Sequence, residues 1–129
     1  MIDKEQLGRS FDYAQGRLFE GLRAVVTVAD ENGRFVFLND LAVEHYGDRG
    51  GEKLLGTDIC DCHNPESQAK IKALYARYRA GDLTPTRYHE KQGNGRAQSI
   101  VLIPIVVDGR FRGVAELMWD ERPDLVFDL

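Results

Sequence analysis

Basic charge, cysteine and long apolar runs are all scarce in this sequence. Its 129 residues carry a formal net charge of −4. No dense run of Lys and Arg offsets that charge, so the chain lacks the electrostatic footprint of a nucleic-acid-binding protein. No apolar stretch reaches the roughly eighteen residues needed to span a bilayer, and the N-terminus lacks the basic and then apolar pattern of a signal peptide. We therefore expect a cytoplasmic protein that binds neither nucleic acid nor membrane.

A recognisable catalytic set is also missing. The serines do not lie in a nucleophile-elbow context, and the glycine-rich stretch 47–56 is neither G-x-G-x-x-G nor a phosphate-binding P-loop. The only two cysteines are Cys60 and Cys62, and thiol redox chemistry at this pair is the one enzymatic interpretation that stays open. We expect a protein without catalytic activity of its own.

The apolar pattern at the start of the chain predicts a helix followed by a β-hairpin. A stretch rich in β-branched residues, 24–29, is followed by a turn over 30–33 and a returning strand over 34–38. Before it, over residues 3–22, apolar side chains recur at three- and four-residue steps, as in an amphipathic helix. That helical stripe consists of Leu7, Phe11, Ala14, Leu18 and Leu22.

The middle of the chain predicts two helices of different length. Asn39 or Asp40 can cap a short helix over 41–46. A longer helix over 65–80 has Asn64 as its N-cap and a proline at its first position. The glycines between the two helices predict loops and single helical turns.

The last third of the chain predicts three strands, over 86–92, 97–107 and 110–119. Strands segregated from helices indicate the α+β class, an antiparallel sheet with helices packed on one face. Simple alternation places on one face of the last strand Phe111, Gly113, Ala115, Leu117 and Trp119. The small residues Gly113 and Ala115 predict room beneath the sheet.

Three segments resemble the PAS family. Residues 26–39 look like its opening hairpin, in which a strand ends in Asp, turns through Gly and returns to Asn. Residues 44–47 (Glu-His-Tyr-Gly) and 52–56 (Glu-Lys-Leu-Leu-Gly) look like its "YG…EELLG" segment. Residues 61–66 (Asp-Cys-His-Asn-Pro-Glu) resemble the stretch that opens the long helix, in the form of a bacterial subgroup with a Cys-His-Pro-like sequence there. The resemblance covers about 22–120.

The resemblance implies a five-stranded antiparallel sheet whose concave face and helices enclose a ligand pocket or a plain core. It also implies a sensory role and a homodimer formed by the helix before the first strand. The chain would then divide into a dimerisation helix, 1–21, a PAS domain, 22–122, and a short tail, 123–129. Since the sequence contains no effector domain, we expect the chain either to act in trans on an unidentified signalling partner or to be a fragment.

A small-molecule ligand would be expected between helix 65–80 and the last strand, with residues 60–63 at the rim. Apolar walls with a few hydroxyl or imidazole groups are typical of such sites. The candidate ligand-binding residues are Tyr46, Cys62, His63, Leu74, Tyr75, Tyr78, Phe111, Ala115 and Leu117.

Cys60, Cys62 and His63 form the densest cluster of soft ligands, which suits zinc, iron or haem. Covalent haem attachment requires Cys-x-x-Cys-His, and this sequence is one residue short. A neutral His63 could instead serve as an axial ligand of non-covalent haem. The alternative is that Asp61 and His63 cap the following helix and that the cysteines are small buried apolar groups.

Three functions therefore stay open. The first is a sensory module that binds a small ligand or a partner chain and dimerises. The second is a haem- or metal-containing redox or gas sensor on the same fold. The third is an interaction module whose core is filled by its own side chains.

Overall fold

The computed structural model describes residues 19–91, 97–126 and 128. The predicted amphipathic helix falls almost entirely outside these ranges, and only its end is described, where Phe19 and Glu20 are helical. The dimer-stripe residues outside the described ranges are Leu7, Phe11, Ala14 and Leu18. Their role stays a prediction.

The first two strands form the predicted hairpin. Strand β1 spans Val25–Asp30 and strand β2 spans Phe35–Leu38, paired antiparallel. The side chain of Asp30 accepts hydrogen bonds from the backbone N–H groups of Asn32 and Arg34, at 2.9 and 3.0 Å. Gly33 supplies the positive φ of +78° that closes the turn.

Helices and single turns connect this hairpin to the rest of the sheet. Helix α1 spans Asp40–His45 and is capped by Asn39, as one of the two sequence alternatives predicts. Three 3₁₀ turns follow, at Gly47–Arg49, Gly51–Leu54 and Ile59–Cys62.

Helix α2 spans Pro65–Arg79, in agreement with the predicted long helix. The side-chain oxygen of Asn64 accepts from the backbone N–H of Ser67 at 2.8 Å, which satisfies one of the unpaired donors of the first turn. Gly81, with φ +101°, lets the chain leave the helix.

The remaining strands are β3 (Thr86–Lys91), β4 (Ala97–Val107) and β5 (Arg110–Asp120). The sheet order is β2-β1-β5-β4-β3 and the pairs are antiparallel, so the last strand of the chain is the central strand of the sheet. Asp108 and Gly109 both have positive φ, 52° and 74°, as a two-residue hairpin turn requires. The predicted turn over 93–95 lies outside the described residues. The predicted α+β sheet architecture is confirmed.

A β-bulge changes the alternation of β5. Ile105 pairs with Gly113 but Val106 pairs with Phe111, so Arg112 is an extra residue on β5. One extra residue inverts the side-chain alternation across that point.

The predicted common face of Phe111 with Ala115 and Leu117 is therefore wrong. Phe111 packs towards α2, against Tyr75 and Tyr78. Ala115 and Leu117 lie on the other face of the sheet.

The predicted gap beneath Gly113 is also absent. A Cβ atom at this position would lie 2.3 Å from the carbonyl oxygen of Ala29. The absence of a side chain lets the backbones of β1 and β5 approach each other and opens no space.

The core lies between α2 and the neighbouring ends of β4 and β5. Tyr75 and Tyr78 are buried there with Val114. The ring centroids of Tyr75 and Phe111 are 5.7 Å apart in an edge-to-face arrangement. The hydroxyl of Tyr78 donates to the carbonyl oxygen of Leu102 at 3.3 Å, so this deeply buried ring keeps a polar partner.

Candidate functional site

A cavity of about 450 Å³ lies between the sheet and the helical segment. Strands β1, β4 and β5 form its floor, and β2, α1, the 3₁₀ turns and α2 supply its walls. The floor residues are Thr27, Ala29, Gln98, Ile100, Leu102, Val114, Glu116 and Met118. The wall residues are Phe35, His45, Tyr46, Asp48, Arg49, Leu54, Ile59, Cys62, His63, Asn64, Ser67, Ile71, Leu74 and Tyr75.

The structure brings five of the predicted ligand-binding residues together at this cavity. They are contributed by the end of α1, by the turn before α2 and by α2 itself. These five are Tyr46, Cys62, His63, Leu74 and Tyr75. The predicted position next to the long helix is thus where a ligand-sized space is found.

Four other predicted residues do not line the cavity. Tyr78 and Phe111 belong to the core beside it, where their rings pack at a centroid distance of 5.9 Å. Ala115 and Leu117 face away from it because the bulge at Arg112 places Val114, Glu116 and Met118 on the cavity side.

The sequence prediction missed Glu116, a carboxylate on the cavity floor. The sequence did contain a signal for this position, because a glycine within a strand pattern, such as Gly113, often marks a bulge. If one extra residue is counted there, Glu116 is predicted to face the cavity. Thr27 and Gln98 were missed as well, because pairing across the sheet brings them to the floor from distant parts of the chain.

Tyr75 closes the cavity beside the core. Its hydroxyl donates to the carbonyl oxygen of Asp30 at 3.2 Å. Burial, reinforced by the negative charge of Asp30, raises the pKa of this phenol. Tyr75 therefore stays neutral at physiological pH and acts as a fixed wall of the site.

The turn before α2 is held in place by backbone carbonyl contacts. The Nδ1 atom of His63 lies 2.7 Å from the carbonyl oxygen of Ile59. The side-chain amide of Gln68, on the first turns of α2, donates to the carbonyl oxygens of Cys60 and His63, both at 2.9 Å. Asn64, and not Asp61 or His63, is the side chain that caps α2.

Both cysteines are free and half-buried. Burial, followed by the negative charge of Asp58, raises the pKa of the Cys60 thiol. A raised pKa lowers the thiolate fraction, and the thiolate is the form that attacks electrophiles and binds metals. Within the described part of the chain no three His, Cys, Asp or Glu side chains come together to hold a metal ion. The predicted set Cys60, Cys62 and His63 does not form such a group.

The opposite face of the sheet carries several apolar side chains, together with Ser99 and Arg87. Pairing places Val28, Val101, Ile103, Ala115 and Leu117 on it. Ile103 is 37% exposed, and Trp119 on the same face is 40% exposed.

Among the described helices, none is long and apolar enough to cross a membrane.

Comparison with known proteins agrees with this architecture. A protein-family model described as "PAS fold" matches residues 19–121. No curated protein matches the sequence.

Solved structures that resemble the chain include three from bacteria. The C-terminal domain of a Streptococcus mutans protein superposes with a TM-score of 0.70 at 19% identity, over 88% of this chain and 87% of that one. The PAS domain of BvgS from Bordetella pertussis superposes with a TM-score of 0.67 at 20% identity, over 91% of each chain. A sensory box sensor histidine kinase structure from Vibrio cholerae gives 0.58 at 16% identity, over 93% of this chain and 99% of that one. Identities at this level show a common fold.

Proposed function

The chain belongs to the PAS fold family, and from that membership we propose that it is a sensory module that binds a small molecule in the cavity between its sheet and α2. The observation that carries the proposal is the cavity itself, about 450 Å³ in volume. Pockets of roughly 300–1,000 Å³ with apolar walls and a few convergent polar groups are the usual sites of small-molecule binding.

The packing of the core supports a ligand over a self-filled interior. Tyr75, Tyr78 and Phe111 fill the space under one end of α2. Ile71 and Leu74 pack against this core, and both also line the cavity and are only partly buried. A space of this size is much larger than the voids that packed interiors leave, and it opens to solvent beside the exposed residues His45, Asp48 and Arg49, which gives a ligand access. We infer that Tyr46, Cys62, His63, Leu74 and Tyr75 contact it and that Tyr78 and Phe111 shape the closed end.

Native mass spectrometry of the purified protein tests this proposal. The wild type is expected to carry a non-covalent adduct, or to bind members of a metabolite library. Leu74→Trp, which fills the cavity, is expected to abolish either signal. Leu83→Trp is the matched control, because Leu83 is 40% exposed and lies outside the cavity. An adduct that persists in Leu74→Trp would contradict the site.

We further propose that the module dimerises and passes its signal to a partner chain in the cytoplasm without catalysis of its own. The apolar outer face of the sheet, with Ile103 and Trp119 exposed, supports an association surface. The predicted stripe of Leu7, Phe11, Ala14 and Leu18 supplies a second apolar surface at the start of the chain.

A haem-based sensor is the second candidate, and one contact favours it. Because the carbonyl oxygen of Ile59 accepts only from a protonated Nδ1, a neutral His63 presents the lone pair of Nε2, the form that ligates iron. Haem would supply gas or redox sensing when bound. Titration with haemin tests the idea. A Soret band that His63→Ala removes and Cys62→Ser retains would support it, and no Soret band in the wild type would end it.

A further inference from the structure

The hydroxyl of Thr27 is a deeply placed polar group on the cavity floor. Thr27 lies on β1, lines the cavity and is only 5% exposed. Among the residues that the structure describes, none forms a hydrogen bond with this hydroxyl. Every fully enclosed side-chain polar atom in the same ranges has a hydrogen-bond partner, so the Thr27 oxygen must be accessible from the cavity. A ligand can therefore meet a hydroxyl that is not engaged by the described protein.

The sheet fixes the position of this hydroxyl. Thr27 is paired with Leu38 on β2 and with Glu116 on β5, so its backbone is held on both sides. Its β-branched side chain has few χ1 rotamers available. Glu116 already interacts with another group of the protein, and the ligand contact is therefore assigned to Thr27. The result is one preorganised hydrogen-bonding group facing the cavity.

The surroundings of Thr27 favour a neutral group on the ligand. Val114 and Met118, next to the paired position on β5, are 5% and 4% exposed, and Ala29 on β1 is 5% exposed. All three line the cavity. Burying an ion among apolar side chains costs far more than burying a neutral polar group. A threonine hydroxyl has one donor and two acceptor lone pairs, so it can pair with either a hydroxyl or a carbonyl group.

The exposed residues of the cavity lie at its opening. They are His45, Asp48, Arg49, His63 and Asn64. A charged group on a ligand can remain hydrated beside these residues, whereas a group that reaches Thr27 has left bulk water. The group that contacts Thr27 is therefore at the inner end of the ligand.

We infer that Thr27 anchors a ligand that carries a neutral hydroxyl or carbonyl group at the inner end of an apolar body. The apolar body lies between Ile100 on the floor and Ile71 and Leu74 on α2. A site built around such a hydrogen bond discriminates against an analogue without the polar group, because the buried hydroxyl then has no partner. This inference rests on the proposed ligand-binding function and specifies its ligand class.

Three para-substituted toluenes test the inference with one apolar body and different groups. They are para-cresol with a neutral hydroxyl, para-xylene with a methyl group of similar size and para-toluate with a carboxylate. Dissociation constants for the full chain at pH 7 are measured by two-dimensional NMR titration up to the solubility limit of para-xylene. A hydroxyl costs more to remove from water than a methyl group, so the quantity compared between proteins is the ratio of cresol affinity to xylene affinity. We expect para-toluate to bind most weakly.

Matched threonine variants locate the contact. Thr27→Val removes the hydroxyl with little change of shape and is expected to lower the cresol-to-xylene affinity ratio about fivefold, the effect of one neutral hydrogen bond. Thr27→Ser retains a hydroxyl and is expected to retain the ratio. Thr57→Val is the control, because the Thr57 hydroxyl lies outside the cavity and donates to the carbonyl oxygen of Leu54 at 2.7 Å. It should leave the ratio unchanged.

Thermal unfolding of the ligand-free variants gives a second measurement. Thr57→Val loses a hydrogen bond within the protein and should unfold at a lower temperature than the wild type. Thr27→Val loses none among the described residues and should unfold at the wild-type temperature or above it. A Thr27→Val variant that does not fold, or that is destabilised as much as Thr57→Val, would show that the hydroxyl has a structural partner and would overturn the inference.

The outcomes separate this inference from the proposed function. An unchanged affinity ratio in Thr27→Val overturns the role of Thr27, and para-toluate binding as tightly as para-cresol overturns the neutral class. If Leu74→Trp abolishes probe binding in either case, the cavity remains a ligand site. No binding of any probe overturns the inference, and the absence of an adduct or library ligand in native mass spectrometry then contradicts the proposed function as well.

Discussion

At the scale of single residues, Asn39 ties three segments of the chain together. The side chain is fully buried. Its oxygen accepts from the backbone N–H groups of Val26 and Ala42, both at 3.0 Å. Its amide nitrogen donates to the carbonyl oxygens of Leu22 and Ala24, at 3.3 and 2.8 Å. One amide thus caps α1, anchors β1 and holds the segment that leads into it.

We expect Asn39→Ala to destabilise the protein by at least about 2 kcal/mol, because it leaves several buried backbone groups without partners. Asn39→Asp retains the accepting oxygens but loses both donated bonds, so its loss should be substantial as well. Urea unfolding measures the free energy. Asn32→Ala, at an exposed turn position, is the control and should change it by less than about 0.5 kcal/mol. Equal stability of Asn39→Ala and wild type would contradict this role.

The Cys60 thiol provides a pH-dependent prediction. Its pKa is raised above the reference value of 9.0, first by burial and then by the charge of Asp58. Well below pH 9 the thiol is protonated in both the folded and the unfolded chain. As the pH rises further, the unfolded chain forms thiolate first, so the stability linked to this proton is complete below that range and is lost as pH rises through the folded pKa.

In a Cys62→Ser background, alkylation of Cys60 by iodoacetamide should therefore reach half its maximal rate at a higher pH in the native protein than in urea. Mass spectrometry of quenched samples gives the two profiles. Coincident profiles would show that the native environment does not perturb this thiol.

At the scale of elements, the bulge in β5 decides which residues reach the cavity. Next to the bulge, Gly113 permits the close approach of β1 and β5, because a Cβ atom there would lie 2.3 Å from the Ala29 carbonyl oxygen. We expect Gly113→Ala to force β1 and β5 apart and to cost about 1–3 kcal/mol, the usual range for overpacking. Gly47→Ala is the control, since a Cβ at Gly47 meets no atom within 4 Å. Thermal unfolding compares the two, and equal melting temperatures would argue against the close approach.

The bulge in β5 shows which features of the fold could be predicted from the sequence and which could not. Turns and caps have local causes, so the hairpin at Gly33 and the helix capped by Asn64 can be predicted from a few neighbouring residues. Face assignment along β5 depends on pairing with β4, a non-local property. Strict alternation from Phe111 therefore predicts that Ala115 faces the cavity. In the structure Glu116 faces it instead, because of the extra residue at Arg112.

At the scale of the whole molecule, the cavity is a result of packing between distant segments. Thr27 and Gln98 both lie on its floor because their strands, β1 and β4, both pair with β5. No spacing along the chain encodes this common face, and volume left unfilled between a sheet and a helix is not a property of either element. Sequence patterns could therefore predict the elements that surround the cavity, together with Tyr75 and His63 on its wall, but not the polar residues Thr27 and Gln98 on its floor.

The two apolar surfaces of the molecule lead to a prediction about assembly. Ile103 lies on the outer face of the sheet and is 37% exposed, so a charged residue there should disturb folding little but oppose burial in an interface. We expect Ile103→Glu to shift the protein towards monomer in sedimentation velocity experiments, and Leu7→Glu combined with Phe11→Glu to do the same if the predicted stripe belongs to the same interface. Leu55→Glu is the control, because Leu55 is 48% exposed in the segment between α1 and α2.

A dimer that survives Ile103→Glu but not the double variant would place the interface on the N-terminal stripe alone. A wild type that sediments as a monomer at all concentrations would contradict dimerisation, and the outer face would then be the surface to test for the signalling partner.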